Sequence, residues 1–159
     1  MAALVDKRYY EDMNVGDTEV SMGRTVTETD IVNFAGLSGD FNTLHTDAEY
    51  AKGSIAGQRI AHGLLPLCIC SGLYTRTAYN LSMLETLTAF TEIKNWKFKK
   101  PVLIGDTIHM KMEIVEKTDT KPGATSGKVV FHRSVINQRD EVVQEGDFVL
   151  LIKKRPTAD

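Results

Sequence analysis

The segment 63–79 constrains the fold most, because it is apolar on nearly every side as far as Thr75. A helix that is apolar all round is usually buried all round, so this segment predicts a central helix enclosed by the rest of the chain. Pro66 is compatible with such a helix because it lies in the first turn. A chain of 159 residues that is 42% hydrophobic can enclose one helix in one core. We therefore expect a single domain over 1–159.

Four alternating segments follow the helix and predict a sheet. Apolar and polar residues alternate with the two-residue period of a strand in 88–98, 108–114, 129–136 and 142–152. Short polar turns between the later segments favour an antiparallel meander. A further strand is expected earlier, over 18–26. The pattern predicts an α+β fold, with a curved antiparallel sheet wrapped around a long central α-helix.

Two shorter helices are expected before the central one. Sequences typical of capping boxes begin at Thr27 and Thr46, which predicts helices over 27–38 and 46–53. Residues 40–45 then connect them as a loop.

The loop and the start of the central helix carry the residues with chemical potential. Asp40, Asn42 and His45 fall within six residues, and His62-Gly63 opens the apolar helix. A carboxylate and an imidazole held close together can bind and polarise one water molecule. A glycine amide at the start of a buried helix can receive a developing negative charge. These are the parts needed to add water to an activated double bond, or to remove it.

Two stretches of sequence resemble a known family. The stretch 40–45, DFNTLH, followed by 61–63, AHG, resembles the hydratase motif of the MaoC-like (R)-specific enoyl-CoA hydratases. The stretch 96–106, WKFKKPVLIGD, is similar to the strand and turn that follow the central helix in that family. Thr43 stands where the family often has proline, which removes no reactive group. The resemblance implies a hotdog fold with a helical overhang, residues 27–53, that carries the catalytic loop.

The resemblance also assigns roles to individual residues. Asp40 and His45 would form the catalytic pair, and Gly63 would supply the oxyanion-hole amide. Asn42 would support the loop or contact the substrate. His62 is either a structural hydrogen-bonding residue or a substrate contact.

By the same resemblance, the expected activity is reversible hydration of trans-2-enoyl-CoA to (R)-3-hydroxyacyl-CoA. The substrate is an acyl-CoA thioester, CoA is part of that substrate rather than a cofactor, and a homodimer or higher homo-oligomer is expected. A hotdog thioesterase remains an alternative, because the sequence does not position the substrate. A non-catalytic acyl-CoA-binding subunit would predict loss of Asp40 or His45, and both are present. A branched or dicarboxylic enoyl group remains open as the natural substrate.

Charge and hydropathy limit the kinds of binding partner that are expected. A formal net charge of -2 gives no reason to expect nucleic acid or an anionic membrane. The longest apolar stretch, 63–73, is far shorter than the about 20 residues of a membrane span. The first residues lack the apolar core of a secretory signal, so a cytoplasmic protein is expected.

The remaining histidines and lysines have alternative interpretations. The four histidines do not fall in a zinc-ligand spacing, so no metal is expected. His109 and His132 alternate with apolar neighbours and are expected on the outer surface of the sheet. Four lysines form the one basic cluster, which could meet the phosphates of CoA or form the solvated face of a strand: Lys94, Lys97, Lys99 and Lys100.

Overall fold

A computed structural model describes residues 6–156. Strands and helices follow one another in this order: β1 (Thr18–Val20), β2 (Arg24–Thr25), α1 (Glu28–Ser38), α2 (Thr43–Thr46), α3 (Ala48–Lys52), α4 (Leu64–Tyr74), α5 (Ala78–Ser82), β3 (Leu87–Phe98), β4 (Thr107–Asp119), β5 (Ser126–Asn137) and β6 (Val142–Lys153).

The strands form one antiparallel sheet with the order β1-β4-β5-β6-β3, and β2 also pairs with β4. The predicted meander is confirmed for β4, β5 and β6, which are neighbours in sequence and in space. It is wrong for β3, which pairs with β6 at the far edge of the sheet. The reason is that β1 and β2 occupy the other side of β4, so β3 pairs with the open edge of β6 instead.

The predicted buried helix is α4, which packs on the inner face of the sheet. Leu65, Ile69 and Leu73 join one continuous core with inward residues of β4, β5 and β6. Burying one such side chain typically stabilises the fold by about 1.5–3 kcal/mol. One stripe of the helix departs from the expectation of burial all round, since Leu64 is 55% exposed and Cys68 is also exposed.

The central helix is shorter than the sequence predicts. It ends at Tyr74, and a separate helix, α5, begins after Thr77. The backbone of Thr77 is extended, and its hydroxyl accepts a hydrogen bond from the Asn80 amide. Threonine favours this capping geometry over a helix interior, which explains the break. The strand expected over 18–26 is likewise divided into β1 and β2.

Local capping shapes the helical overhang. Thr27 and Asp30 form the predicted capping box of α1, and Gly39 ends that helix with a left-handed backbone, φ 74°. The predicted loop 40–45 is instead partly helical, because α2 begins at Thr43. The cap of α3 is Asp47 rather than Thr46, since the Asp47 carboxylate accepts hydrogen bonds from two amides at the start of α3.

Among residues 6–156, no helix is both long enough and apolar enough to cross a membrane.

Candidate active site

His45 is held in one orientation by a main-chain carbonyl. Its side chain lies on α2 and is buried, with 9% exposed. Its Nδ1–H donates to the Ile60 carbonyl oxygen at 2.9 Å, because a carbonyl can only accept. Ile60 is itself fixed by an antiparallel bridge to Leu103. A neutral imidazole with its proton on Nδ1 carries its lone pair on Nε2, so Nε2 of His45 is available as a base.

His62 is held in the same way but faces the protein interior. Its Nε2–H donates to the backbone carbonyl of Asp40 at 2.9 Å, and the residue is 1% exposed. Its Nδ1 is buried and has no hydrogen-bond partner among the described residues. Of the two predicted roles for His62, the geometry supports the structural one over substrate contact.

The imidazoles of His45 and His62 stack on each other, with ring centroids 4.0 Å apart and planes inclined by 31°. Phe34 of α1 packs on the His62 ring, with the two ring centroids 5.0 Å apart. This stack ties the start of α4 to the overhang. It therefore sets the position of His45 relative to the loop that carries Asp40.

Asp40 lies next to both rings. A carboxylate oxygen of Asp40 and one ring nitrogen from each of His45 and His62 lie within 4.8 Å of one another. Oδ1 of Asp40 accepts from the Asn42 amide at 3.2 Å, and Oδ1 of Asn42 accepts from the Leu44 amide at 2.9 Å. Asn42 therefore caps α2 and orders the loop, as one of its two predicted roles requires.

The same three side chains bring three possible metal-ligand atoms within 4.8 Å of one another. A metal ion at this point would need a lone pair from each ring, and the one free nitrogen of His62, Nδ1, is buried in the protein interior. One nitrogen of each ring is also occupied by a backbone carbonyl. The free Nε2 of His45 and the nearby Asp40 carboxylate can serve as a proton-transfer pair.

Gly63 begins α4 with helical dihedrals, φ -54° and ψ -38°. Its N–H has no acceptor among the described residues and lies at the positive end of the helix dipole. Its carbonyl accepts from Nε2 of Gln144 at 2.9 Å, and Oε1 of Gln144 accepts from Nε1 of Trp96 at 3.1 Å. Sequence reasoning did not single out Gln144. The available signal was a polar residue at an inward position of β6, in step with Phe148.

Two adjoining cavities meet at this point. One, of about 300 Å³, is lined by His45 and Gly63 together with Phe98, Gln144 and the first lysines after β3. The other, of about 730 Å³, is more apolar and lies under the loop after α3. Both share a wall made by Ile60 and Pro101. The predicted base and the predicted oxyanion amide therefore face the same space.

The predicted basic cluster divides in the structure. Lys99 and Lys100 line the smaller cavity, where they pair with Glu145 at 2.7 Å and Glu141 at 2.5 Å respectively. Lys94 lies further along β3 and pairs with Glu92 at 3.3 Å. His109 and His132 are half-buried on the outer face of the sheet, and His132 contacts Asp147 at 2.7 Å.

A buried carboxylate supports the wall behind His45. Asp106, 3% exposed, accepts hydrogen bonds from the Leu103 amide at 2.9 Å, from Gln138 at 2.7 Å and from Arg139 at 2.9 Å. Burial alone would raise the pKa of Asp106. The hydrogen bonds and the Arg139 charge lower that pKa by more than burial raises it, so the net pKa lies below the usual range. Asp106 thus stabilises Leu103, which pairs with the Ile60 that orients His45.

The family model of the MaoC like domain matches residues 14–135. The (R)-specific enoyl-CoA hydratase of Rhodospirillum rubrum is 33% identical over 92% of this chain and 93% of its own. Protein MaoC of Klebsiella aerogenes is 36% identical over 70% of this chain, which spans only 32% of that longer protein.

Solved structures give the same result. A protein of Archaeoglobus fulgius described as a monoamine oxidase regulatory protein matches with a TM-score of 0.88 and 42% identity, over 95% of this chain and 97% of its own. A Mycobacterium tuberculosis protein described as a double hotdog fold matches with a TM-score of 0.78 and 18% identity, over 96% of this chain and 46% of its own, which shows the fold alone. The predicted hotdog fold is confirmed. The chain, with its sheet wrapped around α4 and its matched residues 14–135, belongs to the MaoC-like dehydratase family.

Proposed function

We propose that this protein catalyses reversible hydration of trans-2-enoyl-CoA to (R)-3-hydroxyacyl-CoA. The observation that carries the proposal is the position of His45. Its Nε2 is free, one of its ring nitrogens lies within 4.8 Å of the Asp40 carboxylate, and it lines the same cavity as Gly63. The R. rubrum relative, named as an (R)-specific enoyl-CoA hydratase, supports both the reaction and its stereochemistry.

In this mechanism Gly63 stabilises the charge that develops during attack. The thioester carbonyl withdraws electrons from the double bond, so water that bonds to C3 pushes the π electrons onto the thioester oxygen. The Gly63 N–H, with the dipole of α4 behind it, meets that oxygen with a hydrogen bond. The thioester supplies the activation, and the reaction therefore calls for no cofactor.

Asp40 and His45 transfer the protons. Water held between the carboxylate and Nε2 loses a proton to the pair as its oxygen bonds to C3, and a proton is then delivered to C2. Because the carboxylate lies within 4.8 Å of a ring nitrogen of His45, one pair of groups handles both protons, which favours addition of H to C2 and OH to C3 on one face of the double bond. Dehydration follows the same steps in reverse.

Two further features fit the substrate and the assembly. Lys99 and Lys100 at the cavity give cations for the phosphates of CoA. The edge strand β3 leaves Phe90 more than half exposed, which is unusual for an unpaired sheet edge. We propose that a second copy pairs with this edge to form a homodimer. Light scattering of the purified protein should then give twice the 17.7 kDa mass of the chain.

The test of the reaction is hydration of crotonyl-CoA, followed by loss of the enoyl-thioester absorbance. Asp40→Asn and His45→Gln should each lower kcat by about 10²–10⁴, the range typical of general acid–base groups. His109→Gln, on the outer face of the sheet, is the matched control and should retain full activity.

The alternatives give different signals in the same assay. Release of free CoA thiol without hydration would indicate a thioesterase instead. Equal activity in the Asp40, His45 and His109 variants would remove these two residues from the mechanism.

A further inference from the structure

Gln144 is a buried amide at the start of α4 that the proposed mechanism does not use. It lies on β6, opposite Phe98 of β3 and Val135 of β5, and is 3% exposed. Its Nε2–H donates to the Gly63 carbonyl at 2.9 Å, and its Oε1 accepts from the Trp96 indole at 3.1 Å. Both polar atoms of the side chain therefore have partners, and one partner belongs to the proposed oxyanion glycine.

The two partners of Gln144 permit only one orientation of its amide. An indole N–H can only donate a hydrogen bond, and a main-chain carbonyl can only accept one. If the amide were rotated by 180°, its NH₂ group would face the Trp96 donor and its oxygen would face the Gly63 oxygen. Both hydrogen bonds would then be lost, which is costly for buried groups. Trp96 thus fixes which end of the Gln144 amide points at Gly63.

Position 63 requires a glycine, and that glycine requires an external restraint. A Cβ at this position would lie 3.2 Å from the Phe98 ring, and both residues line the smaller cavity. Glycine lacks the Cβ that restricts φ and ψ in other residues, and Gly63 precedes the first residue of α4, where a helix frays. An oxyanion donor is effective only when it is already aimed at the developing charge. The proposed mechanism therefore needs a contact that holds the main chain of Gly63.

Contacts on both sides of Gly63 supply that restraint. The peptide that carries the Gly63 N–H also carries the His62 carbonyl, which accepts from the Leu65 amide at 3.0 Å. The next peptide carries the Gly63 carbonyl, to which Gln144 donates. Because each peptide is planar, the φ of -54° and ψ of -38° at Gly63 are set by the relative orientation of these two planes. With both planes held, the direction of the free Gly63 N–H is held as well.

We propose that Gln144 is a positioning residue for the hydration reaction: it fixes the main chain of Gly63 so that the N–H is aimed at the thioester oxygen in the transition state. Trp96 supports this role by fixing the orientation of the amide. The proposal rests on the proposed hydratase function and adds a residue to that same site. Because Gln144 acts through the oxyanion donor, its loss affects the step in which charge develops rather than the binding of substrate.

The first test is steady-state hydration of crotonyl-CoA by Gln144→Met, which keeps the length of the side chain and loses both hydrogen bonds. We expect kcat to fall by about 10–10²-fold, which is less than the factor of about 10²–10³ that removal of an oxyanion donor itself typically costs. KM should change by less than about threefold, because the contact acts in the transition state. Trp96→Phe keeps an aromatic ring but frees the Gln144 amide to rotate, so its kcat should fall by a smaller factor, about threefold to tenfold.

A double-substitution cycle separates positioning from a general effect on folding. Gly63→Ala already disables the proposed oxyanion site, so addition of Gln144→Met should lower kcat further by less than about threefold. If the two residues acted independently, their separate losses in kcat would multiply. Tyr79→Phe is the matched control, because it removes a different buried hydrogen bond, the one to Asp17 at 3.0 Å, from a residue that lines neither cavity of the site. It should lower stability toward urea without lowering kcat.

Each outcome has one meaning. If the natural protein hydrates crotonyl-CoA and Gln144→Met keeps the same kcat, the role of Gln144 is overturned while the hydratase function stands. Losses that multiply in the double variant likewise overturn it and make Gln144 a residue of the fold alone. If Gln144→Met does not fold, the same cycle is measured with Trp96→Phe and Gly63→Ala. A natural protein that hydrates neither crotonyl-CoA nor a longer enoyl-CoA would instead contradict the proposed function itself.

Discussion

Alanine substitutions at two glycines of the same helix should separate catalysis from stability. Gly63 precedes α4 and Gly72 lies inside it. A Cβ added at Gly72 meets no atom within 4 Å, so Gly72→Ala gains the difference in helix propensity, about 0.8–1.0 kcal/mol. For a chain of this size, such a gain corresponds to a rise in Tm of about 2–4 °C. Its kcat/KM should not change, because Gly72 lines neither cavity of the candidate site.

At Gly63 the same substitution should change stability little and activity strongly. The added Cβ lies 3.2 Å from Cε1 and 3.4 Å from Cδ1 of Phe98, so that ring must move by a few tenths of an ångström. Phe98 is 57% exposed and can move, and the backbone of Gly63 is already helical. The free energy of unfolding should therefore change by less than about 1 kcal/mol. The Cβ stands in the cavity beside the proposed oxyanion amide, and kcat/KM should fall by about 10²-fold.

The two properties are measured separately for each variant. Urea unfolding at unchanged m-value gives the stability, and crotonyl-CoA hydration gives kcat/KM. Full activity in Gly63→Ala would refute the placement of the thioester oxygen at Gly63. A loss of activity in Gly72→Ala equal to that in Gly63→Ala would show that the helix tolerates no alanine and that neither position reports on the site.

Three further substitutions follow from contacts in and around the site. His62→Phe keeps the stacked ring but loses the hydrogen bond to the Asp40 carbonyl. Steady-state kinetics should show kcat lowered roughly threefold to tenfold with little change in KM. An unchanged kcat would mean that this hydrogen bond is not needed to position the Asp40 loop. Asp106 has a lowered pKa in the fold, so its contribution to stability is fully present above about pH 4 and is lost as pH falls through that lowered pKa. Unfolding of Asp106→Asn followed by circular dichroism should therefore depend less on pH in acid, and a slope equal to that of the natural protein would contradict this reasoning. Arg133→Met removes a buried charge that forms no ion pair with the described residues and stacks on the rings of Tyr74 and Phe148. Urea unfolding should show a gain of about 1 kcal/mol or more, whereas a loss would indicate that the two rings stabilise the charge by more than its burial costs.

Much of the fold could be predicted because local patterns specified it. The capping box at Thr27 and the glycine at position 39 bound α1 within one residue of the prediction. The alternation of β4, β5 and β6 predicted their existence and their order. The position of β3 could not be predicted in the same way, because its pairing with β6 depends on β1 and β2 occupying the other side of β4. The end of α4 was also missed, since the hydroxyl of Thr77 outweighs the apolar pattern that continues to Tyr79.

The candidate site was likewise predictable only in part. The motif placed Asp40, His45 and Gly63 as candidates. In the fold, His45 and Gly63 line one cavity, and a carboxylate oxygen of Asp40 lies within 4.8 Å of a ring nitrogen of His45. The main-chain carbonyl that orients His45 belongs to Ile60, fifteen residues away, and a carbonyl leaves no mark in the sequence. The contact of Gln144 with Gly63 joins residues 81 apart and depends on the register of β6. Such partners follow from tertiary packing and not from local spacing.

Ile60 performs two tasks with two different parts of the same residue. Its carbonyl sets the tautomer of His45, while the residue also forms part of the wall shared by both cavities. Any amino acid that keeps the backbone path supplies the same carbonyl, so the side chain is free to vary without changing the base. Directed evolution for new acyl groups can therefore begin at position 60. Substitutions there alter the shape of the pocket and keep the hydrogen bond that orients His45.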